Sequence, residues 1–93
     1  MPATINDYES LRQFASALEY YLQELDAANG KLDQNFAMLE DVWKDQKFAE
    51  FQEVYSDLRH LMNVFKVASE NQIPYLRQQA NTLEEYMSRG TGI

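Results

Sequence analysis

The stretch that decides the fold is residues 11–43, LRQFASALEYYLQELDAANGKLDQNFAMLEDVW, because one apolar spacing runs through all of it. Leucines recur every seven residues, and a second row follows each leucine by four residues. The leucine row is Leu11, Leu18, Leu25, Leu32 and Leu39, and the second row is Ala15, Leu22, Asn29, Phe36 and Trp43. A mean spacing of about 3.5 residues keeps one stripe of a helix turned toward a partner helix. The first half of the chain is therefore predicted to be one long helix that another helix covers.

The second half of the chain repeats this spacing after a break near Lys44 and Asp45. Its apolar positions are Phe48, Phe51, Tyr55, Leu58, Met62 and Phe65, and the pattern then loosens through Ala68, Gln72, Tyr75 or Leu76, Leu83 and Tyr86. Two long helices joined by a short turn pack as an antiparallel pair. We therefore predict an all-α fold, an antiparallel helix-turn-helix hairpin that forms a single domain over residues 1–93.

The bounds of the two helices are predicted from local signals. Asn6 and Glu9 form a capping box, so helix 1 is expected over about residues 7–42. The turn is expected at about residues 43–46, and helix 2 at about residues 47–89. Arg89 followed by Gly90 is typical of a helix end, because the cation favours the last turn and Gly can leave the helical conformation.

Two features inside the predicted helices favour an interruption. Asn29-Gly30 is a common turn dipeptide, but the leucine spacing passes it without a shift, which favours a continuous helix. Asn29 itself either fixes the pairing of the helices through a polar partner or lies in a solvated dent. Pro74 removes one backbone hydrogen bond and crowds the carbonyl of Glu70. Because Ile73 would be a poor N-cap, we predict a kink near Pro74 rather than a new helix.

The composition excludes several classes of function. The chain has 93 residues, a net charge of -7 and no Cys. Phosphate binding needs clustered Lys and Arg, so nucleic acid is not an expected partner. No apolar run approaches the ~20 residues that cross a bilayer, so membrane insertion is not expected. The first residues lack the basic and apolar regions of a signal peptide. We expect a protein that is cytoplasmic or is secreted without such a peptide, and the sequence does not decide between the two.

Residues 39–51, LEDVWKDQKFAEF, place a Trp near the centre of the chain with an aromatic residue shortly after it. This layout of helix, central Trp turn and helix resembles the WXG superfamily, the ESAT-like small helical-hairpin proteins. Trp43 corresponds to the family Trp, and Asp45 stands where the family has Gly. Asp tolerates a left-handed backbone and can cap the following helix. The expected turn motif is a Trp-x-Asp variant made of Trp43, Asp45 and Phe48, in which Trp43 seals the end of the hairpin core rather than docking a partner.

The resemblance implies a non-enzymatic protein that acts through protein–protein contacts. Family members commonly dimerise into four-helix bundles, and many are exported by type VII-like secretion systems. Their export signal is a Tyr followed four residues later by an acidic residue, but here Gly90 stands four residues after Tyr86. The expected function is that of a substrate or adaptor of a type VII-like system. The alternative is an intracellular dimeric scaffold or adaptor of the same shape that is not exported.

A wide apolar surface predicts a dimer independently of the resemblance. Beside its main stripe, each helix carries further apolar residues that one partner helix cannot cover. Two hairpins packed face to face would bury them in a four-helix bundle. The expected partner is a second copy, or else a similar hairpin protein in a heterodimer. The candidate interface residues are Phe14, Tyr21, Val54, Leu61, Val64 and Ala68.

One cluster has the spacing of a metal site: Glu53, Asp57 and His60, which share one face of helix 2. Carboxylates and His at such spacing build di-metal sites in four-helix bundles, but these sites need further carboxylates on the facing helices. Helix 1 has leucines and aromatic residues at its inward positions. We therefore expect a solvated charged face, with no metal and no cofactor. A di-metal four-helix-bundle enzyme is the third and most distant alternative.

Overall fold

Two long helices lie side by side in opposite directions. The structure is a computed structural model, and it describes residues 7–91, with side chains from 8 to 89. Helix α1 spans Asp7–Val42 and helix α2 spans Gln46–Thr91. The hairpin is 73 Å long and only 22 Å by 17 Å in cross-section. A helix rises about 1.5 Å per residue, so the 46 residues of α2 span nearly this whole length. The described residues therefore form the predicted all-α helical hairpin.

Both helices continue through the residues that favour an interruption. α1 is unbroken at Gly30, as the leucine spacing predicts. α2 continues through Pro74 as one helix rather than two, and a kink there stays a prediction. α2 ends at Thr91, two residues after the expected end at about residue 89. Asn6, the first residue of the predicted capping box, lies outside the described residues.

The turn consists of residues 43–45, and Asp45 caps the helix that follows it. The backbone N–H of Phe48 donates to Asp45 Oδ1 at 3.2 Å and to the Asp45 carbonyl at 3.1 Å. The first N–H groups of a helix lack partners within it, so this cap satisfies one of them. Asp45 does not adopt the left-handed backbone that Asp tolerates, because no non-Gly residue among the described ones has a positive φ. Asp45 therefore serves the turn through its carboxylate and not through an unusual backbone.

The buried part of the molecule is a thin seam between the two helices. On α1 the second row lies deepest, since Ala15 and Leu22 are buried, whereas Leu32 of the leucine row is 44% exposed. The buried apolar residues of the described chain are Ala15, Leu22, Phe48, Ile73 and Ala80. Of these, Ala15, Leu22 and Ile73 form one cluster, with Leu18, Leu25 and Leu76 packed against it. The leucine row is thus turned partly away from α2, and one side of the seam is open.

The residues that α2 places in the seam change spacing once. They recur every seven residues up to Ser69 and again from Ile73 onward, but the second series is displaced by four residues. An inserted set of four residues is a stutter, which locally unwinds the supercoil of packed helices. The seam positions are Phe48, Tyr55, Met62 and Ser69, followed by Ile73, Leu76, Ala80, Leu83 and Met87. Of the looser predicted path, Leu76 and Leu83 lie in the seam, whereas Ala68, Gln72, Tyr75 and Tyr86 are exposed and lie outside it.

Candidate interaction surface

One side of the seam is closed by a row of polar contacts between the helices, which we call the ion ladder. Acidic residues recur every seven residues on α1, and each meets a polar side chain of α2. The ion ladder consists of Glu19–Arg77 at 3.0 Å, Asp26–Lys66 at 3.0 Å, Asp33–Arg59 at 2.8 Å and Glu40–Gln52 at 3.1 Å, with Arg12–Glu84 continuing the row with the charges exchanged. The ladder joins the helices along most of their length.

Asp33 is the most heavily bonded carboxylate of the ion ladder. Arg59 donates to both of its oxygens, at 2.8 Å and 2.9 Å, and the Tyr55 hydroxyl donates to one of them. These hydrogen bonds, that from Arg59 first, lower the pKa of Asp33. The hydrogen bond from Arg77 likewise lowers the pKa of Glu19, and the hydrogen bond to Asp26 raises the pKa of Lys66. Exposed ion pairs contribute little stability each, so the main effect of the ladder is to fix which residues lie opposite each other.

The ion ladder was not predicted, although the spacing of its carboxylates is present in the sequence. Each of these carboxylates comes directly after a residue of the leucine row. They are Glu19, Asp26, Asp33 and Glu40. In an antiparallel helix pair, the positions that flank the seam on one side meet each other, and they commonly carry complementary charges. The cations on α2 change from seven-residue to eleven-residue spacing at the stutter. The pairing therefore does not follow one constant period along both helices.

The stutter leaves a groove between two neighbouring pairs of the ion ladder. Asp26–Lys66 borders it on one side and Glu19–Arg77 on the other, with Leu22, Ile73 and Pro74 among the residues between them. The carboxylates are seven residues apart on α1, whereas the cations are eleven residues apart on α2. α2 therefore has four more residues than α1 between these two pairs, as at a stutter, and Pro74 lies in this segment.

The opposite side of the seam carries four apolar rows, which we call the apolar face. They contain no Asp, Glu, Lys or Arg, although the chain has 23 such residues in total. On α1 the rows are Leu11, Leu18, Leu25, Leu32 and Leu39, and Phe14, Tyr21, Ala28, Asn35 and Val42; on α2 they are Phe51, Leu58 and Phe65, and Val54, Leu61, Ala68 and Tyr75. Charge is thus absent from these rows along α1 and between Phe51 and Tyr75 on α2, and Lys47 stands seven residues before Val54, at the turn end.

Two observations place the rows of α1 and α2 on the same side of the hairpin. The rings of Tyr21 and Phe65 meet edge to face, with their centroids 6.4 Å apart. Nearer the turn, an almost wholly apolar groove lies open between the helices, lined by Leu32, Asn35, Phe36, Leu39, Phe51, Tyr55 and Leu58. The apolar face is therefore one continuous surface that two helices build together.

The six predicted interface residues are all exposed in the single chain. Five of them, Phe14, Tyr21, Val54, Leu61 and Ala68, belong to the apolar face, and Val64 borders it. The exposed fraction of Tyr21 is 51% and that of Leu61 is 65%. Aliphatic and aromatic side chains in a continuous patch of this kind mark a site of protein interaction. Their contact with a partner stays a prediction.

Aromatic rings pack around the turn at one end of the apolar face. Phe36 stacks on Tyr55 with a centroid distance of 4.4 Å, and Trp43 lies 5.4 Å from Phe48 and 6.1 Å from Phe51. Trp43 is half-buried, and Phe48 is buried. Offset and edge-to-face ring pairs of this kind are favourable beyond the area that they bury. The aromatic side chains thus close the end of the seam where the chain reverses.

The residues considered for metal binding lie apart from this surface. Glu53, Asp57 and His60 are all exposed on α2. Among the described residues, no three His, Asp or Glu side chains come together in a group that could hold a metal ion. The di-metal alternative therefore gains no geometric support.

Comparison with protein families, with curated proteins and with solved structures gave no match to this chain. The resemblance to the WXG superfamily thus rests on residues 39–51 and on the helical layout. Within residues 7–91, neither helix has a segment long and apolar enough to cross a membrane.

Proposed function

We propose that this protein is non-enzymatic and acts by protein–protein contact, as a homodimer in which two hairpins form a four-helix bundle. The observation that carries this proposal is the apolar face, which has no charged residue and is left uncovered by the chain itself. The opposite side of the seam is already closed by the ion ladder. A hairpin with one closed and one open side offers a single surface on which another layer of helices can pack.

The exposed area supports a partner of considerable size. The chain exposes 7162 Å², whereas a compact monomer of 10.9 kDa is expected to expose about 5,600 Å². The excess of about 1,500 Å² accompanies the elongated shape of the hairpin, and covering about 800 Å² on each of two copies would give an interface of standard size. A second copy is favoured over an oppositely charged partner, because the apolar face offers no charge for such a partner to recognise.

Sedimentation of the purified chain across micromolar concentrations tests the dimer. We expect a dimer with a melting temperature that rises with protein concentration, since folding and association share one core. A stable monomer at high micromolar concentration, with a melting temperature independent of concentration, would contradict the proposal. Mixed-mass complexes recovered from the native host would instead identify a heterodimer with a similar hairpin protein.

We further propose that the dimer serves a type VII-like secretion system, as a substrate or adaptor. This is supported by the central Trp turn, in which Trp43 packs on the aromatic residues that follow it and Asp45 caps α2. The test is to locate the protein in culture medium and in cell lysate, with and without the membrane ATPase of such a system. Loss of the protein from the medium when the ATPase is deleted is the expected result.

The second candidate is a dimeric scaffold or adaptor that stays inside the cell. One observation favours it: Gly90 stands four residues after Tyr86, where the export signal of the WXG superfamily has an acidic residue. Finding the protein only in the lysate, in cells whose type VII-like system exports its other substrates, would support this candidate over the first.

A further inference from the structure

We propose that Asn29-Gly30 is a site of covalent self-modification, at which Asn29 is converted to an aspartate or an isoaspartate when the middle of α1 opens. The inference goes beyond the proposed function and concerns each chain by itself. Asn29 is the one asparagine of the sequence that is followed by Gly. The structure places the pair inside the unbroken helix α1, in a part of the hairpin where no residue is buried.

The reaction needs only these two residues and water. The backbone nitrogen of Gly30 gives its proton to solvent and attacks the Cγ atom of Asn29. The new C–N bond closes a five-membered succinimide ring, and the side-chain nitrogen leaves as ammonia. Water then attacks one of the two ring carbonyls and breaks its C–N bond, which yields either aspartate or isoaspartate without any oxidant or reductant. Gly favours the attack because it has no side chain beside its nitrogen.

The helix holds the two reacting atoms apart. In α1 the Gly30 N–H belongs to the regular pattern of bonds to the carbonyl four residues earlier. This bond must break, and Asn29 must leave its helical ψ, before the nitrogen can reach Cγ. Little else shields the site, because Gly30 is exposed and no atom beyond its helical neighbours lies within 4 Å of the position of a Cβ. Conversion is therefore limited by how often α1 opens here.

The packing along the middle of the hairpin favours such an opening. The buried residues lie toward its two ends, with Phe48 at the turn and Ala15, Leu22, Ile73 and Ala80 at the other end. Between them, no residue of α1 from 23 to 42 and none of α2 from 49 to 72 is buried. Segments with few buried apolar contacts open at a lower free energy than the whole molecule unfolds.

Asn29 lies in the seam but has no polar partner there. It is half-buried, and the register that stacks Phe36 on Tyr55 places it at the level of Met62, seven residues away from each of those rings. Its side chain makes no hydrogen bond with another described residue. The side-chain amide is therefore not tied to α2, and it can turn toward the nitrogen of Gly30 once the helix opens.

The product cannot restore the helix that preceded it. An isoaspartate adds one atom to the main chain, so the N–H and carbonyl groups on its two sides lose the spacing that helical bonds require. Either product also places a carboxylate three residues from Asp26 and four from Asp33, where like charges destabilise a helix. The modification thus interrupts α1 irreversibly between the Asp26–Lys66 and Asp33–Arg59 pairs.

Incubation of the purified full-length chain at mildly alkaline pH tests the proposal. Mass spectrometry of the fragment that contains Asn29 follows the exchange of the amide for a carboxyl group, and an isoaspartyl methyltransferase labels the isoaspartate. The rate is measured in buffer, in urea below the unfolding transition and in urea that unfolds the chain. Two variants are compared: Gly30→Ala, which strengthens the helix at the site, and Asp45→Ala, which lowers global stability at the turn.

We expect conversion in buffer to be roughly ten- to a hundredfold slower than in the unfolded chain, since local opening lies well below global unfolding in free energy. Low urea and Asp45→Ala should scarcely change this rate. Gly30→Ala should lower the rate in buffer by a larger factor than in the unfolded chain. A rate that rises with urea as steeply as the unfolding equilibrium, and rises again with Asp45→Ala, would overturn the proposal.

Two other results would also overturn it. One is a native chain that stays intact while the unfolded chain converts completely, and the other is an equal rate in both. The effect on the helix is tested with the isoaspartyl chain, separated from the unmodified one, and with Asn29→Asp, which gains the charge alone. The isoaspartyl chain should lose helical circular dichroism and melt several degrees below Asn29→Asp. Equal melting temperatures would refute the interruption of α1.

Discussion

Lys66 and Arg77 lie eleven residues apart on α2, but the carboxylates that they hold, those of Asp26 and Glu19, lie only seven residues apart on α1. The ion pairs therefore record a shift of four residues in how the helices face each other. On the turn side of the shift, α1 pairs with α2 in one register, and on the other side in a second register. The acidic residues of α1 meet cations of α2 on both sides of the stutter only because α2 has four additional residues at that point.

Leu61→Glu should break the dimer. The exposed fraction of Leu61 is 65% in the single chain, so the substitution costs little before association but would place an unpaired charge in the interface. Sedimentation should show a monomer, and the melting temperature should no longer depend on concentration. Val67→Glu is the matched control, since Val67 is 47% exposed and lies outside the apolar face. If both variants dimerise like the native protein, the apolar face is not the interface.

Gly30→Ala should stabilise the protein. Gly30 lies inside an unbroken helix, and no atom lies within 4 Å of the position that a Cβ would occupy. The helix propensity of Ala and its smaller backbone entropy when unfolded predict a gain of about 0.5–1 kcal/mol in the free energy of unfolding. Urea denaturation at a fixed protein concentration measures this. A loss of stability would contradict the assignment of Gly30 as a helical position with free space for a side chain.

Asp45→Ala should destabilise the hairpin through loss of the cap on α2. The N–H of Phe48 would lose its bond to the carboxylate, and N-cap replacements of this kind cost about 0.5–2 kcal/mol. The free energy of unfolding is the quantity to compare. Asp41→Ala is the control, because Asp41 is exposed and lies in the last turn of α1. Equal effects of the two substitutions would exclude a specific role for the cap.

The ion ladder should make stability depend on pH at both extremes. The pKa values of Glu19 and Asp33 lie below their ordinary values of 4.5 and 3.8, so their contribution is present above those values and is lost as the pH falls through the lowered ones. The pKa of Lys66 lies above 10.5, so its contribution is present below that value and is lost as the pH rises past it.

Asp33→Asn tests the predicted loss of stability at low pH. The difference in melting temperature between the native protein and this variant should be largest near neutral pH and should shrink as the pH falls below about 4. Asp41→Asn serves as the control for the loss of one exposed carboxylate. A difference that stays constant down to pH 2 would show that Asp33 does not stabilise the hairpin through its charge.

Metal ions should not bind tightly at Asp57 and His60. Both side chains are exposed, and no third ligand joins them among the described residues, so the site lacks the ligand number that transition metals need. Calorimetry with iron, manganese and zinc should detect only weak surface binding. Stoichiometric binding at micromolar affinity or tighter, abolished by His60→Ala, would restore the enzyme alternative.

The sequence by itself determined the two helices, their antiparallel packing and the place of the turn. These follow from local physics: the leucine spacing passes Gly30 without a shift, and the apolar pattern breaks at Lys44 and Asp45. Helix formation and the burial of one stripe need only residues that are close in the chain. The sequence also indicated which residues are candidates for the interface, since apolar residues such as Tyr21 and Leu61 fall outside the main stripes.

Only the tertiary structure decided how the two helices face each other. The stutter of α2 and the closure of one side of the seam by Asp33–Arg59 and Asp26–Lys66 depend on residues of both helices meeting in space. A pattern along one helix cannot reveal which of its two flanking rows meets the opposite helix. Once the pairing makes one side charged and closed, the other side is left apolar and open. The location of the candidate surface is therefore a property of the packed pair and not of either helix alone.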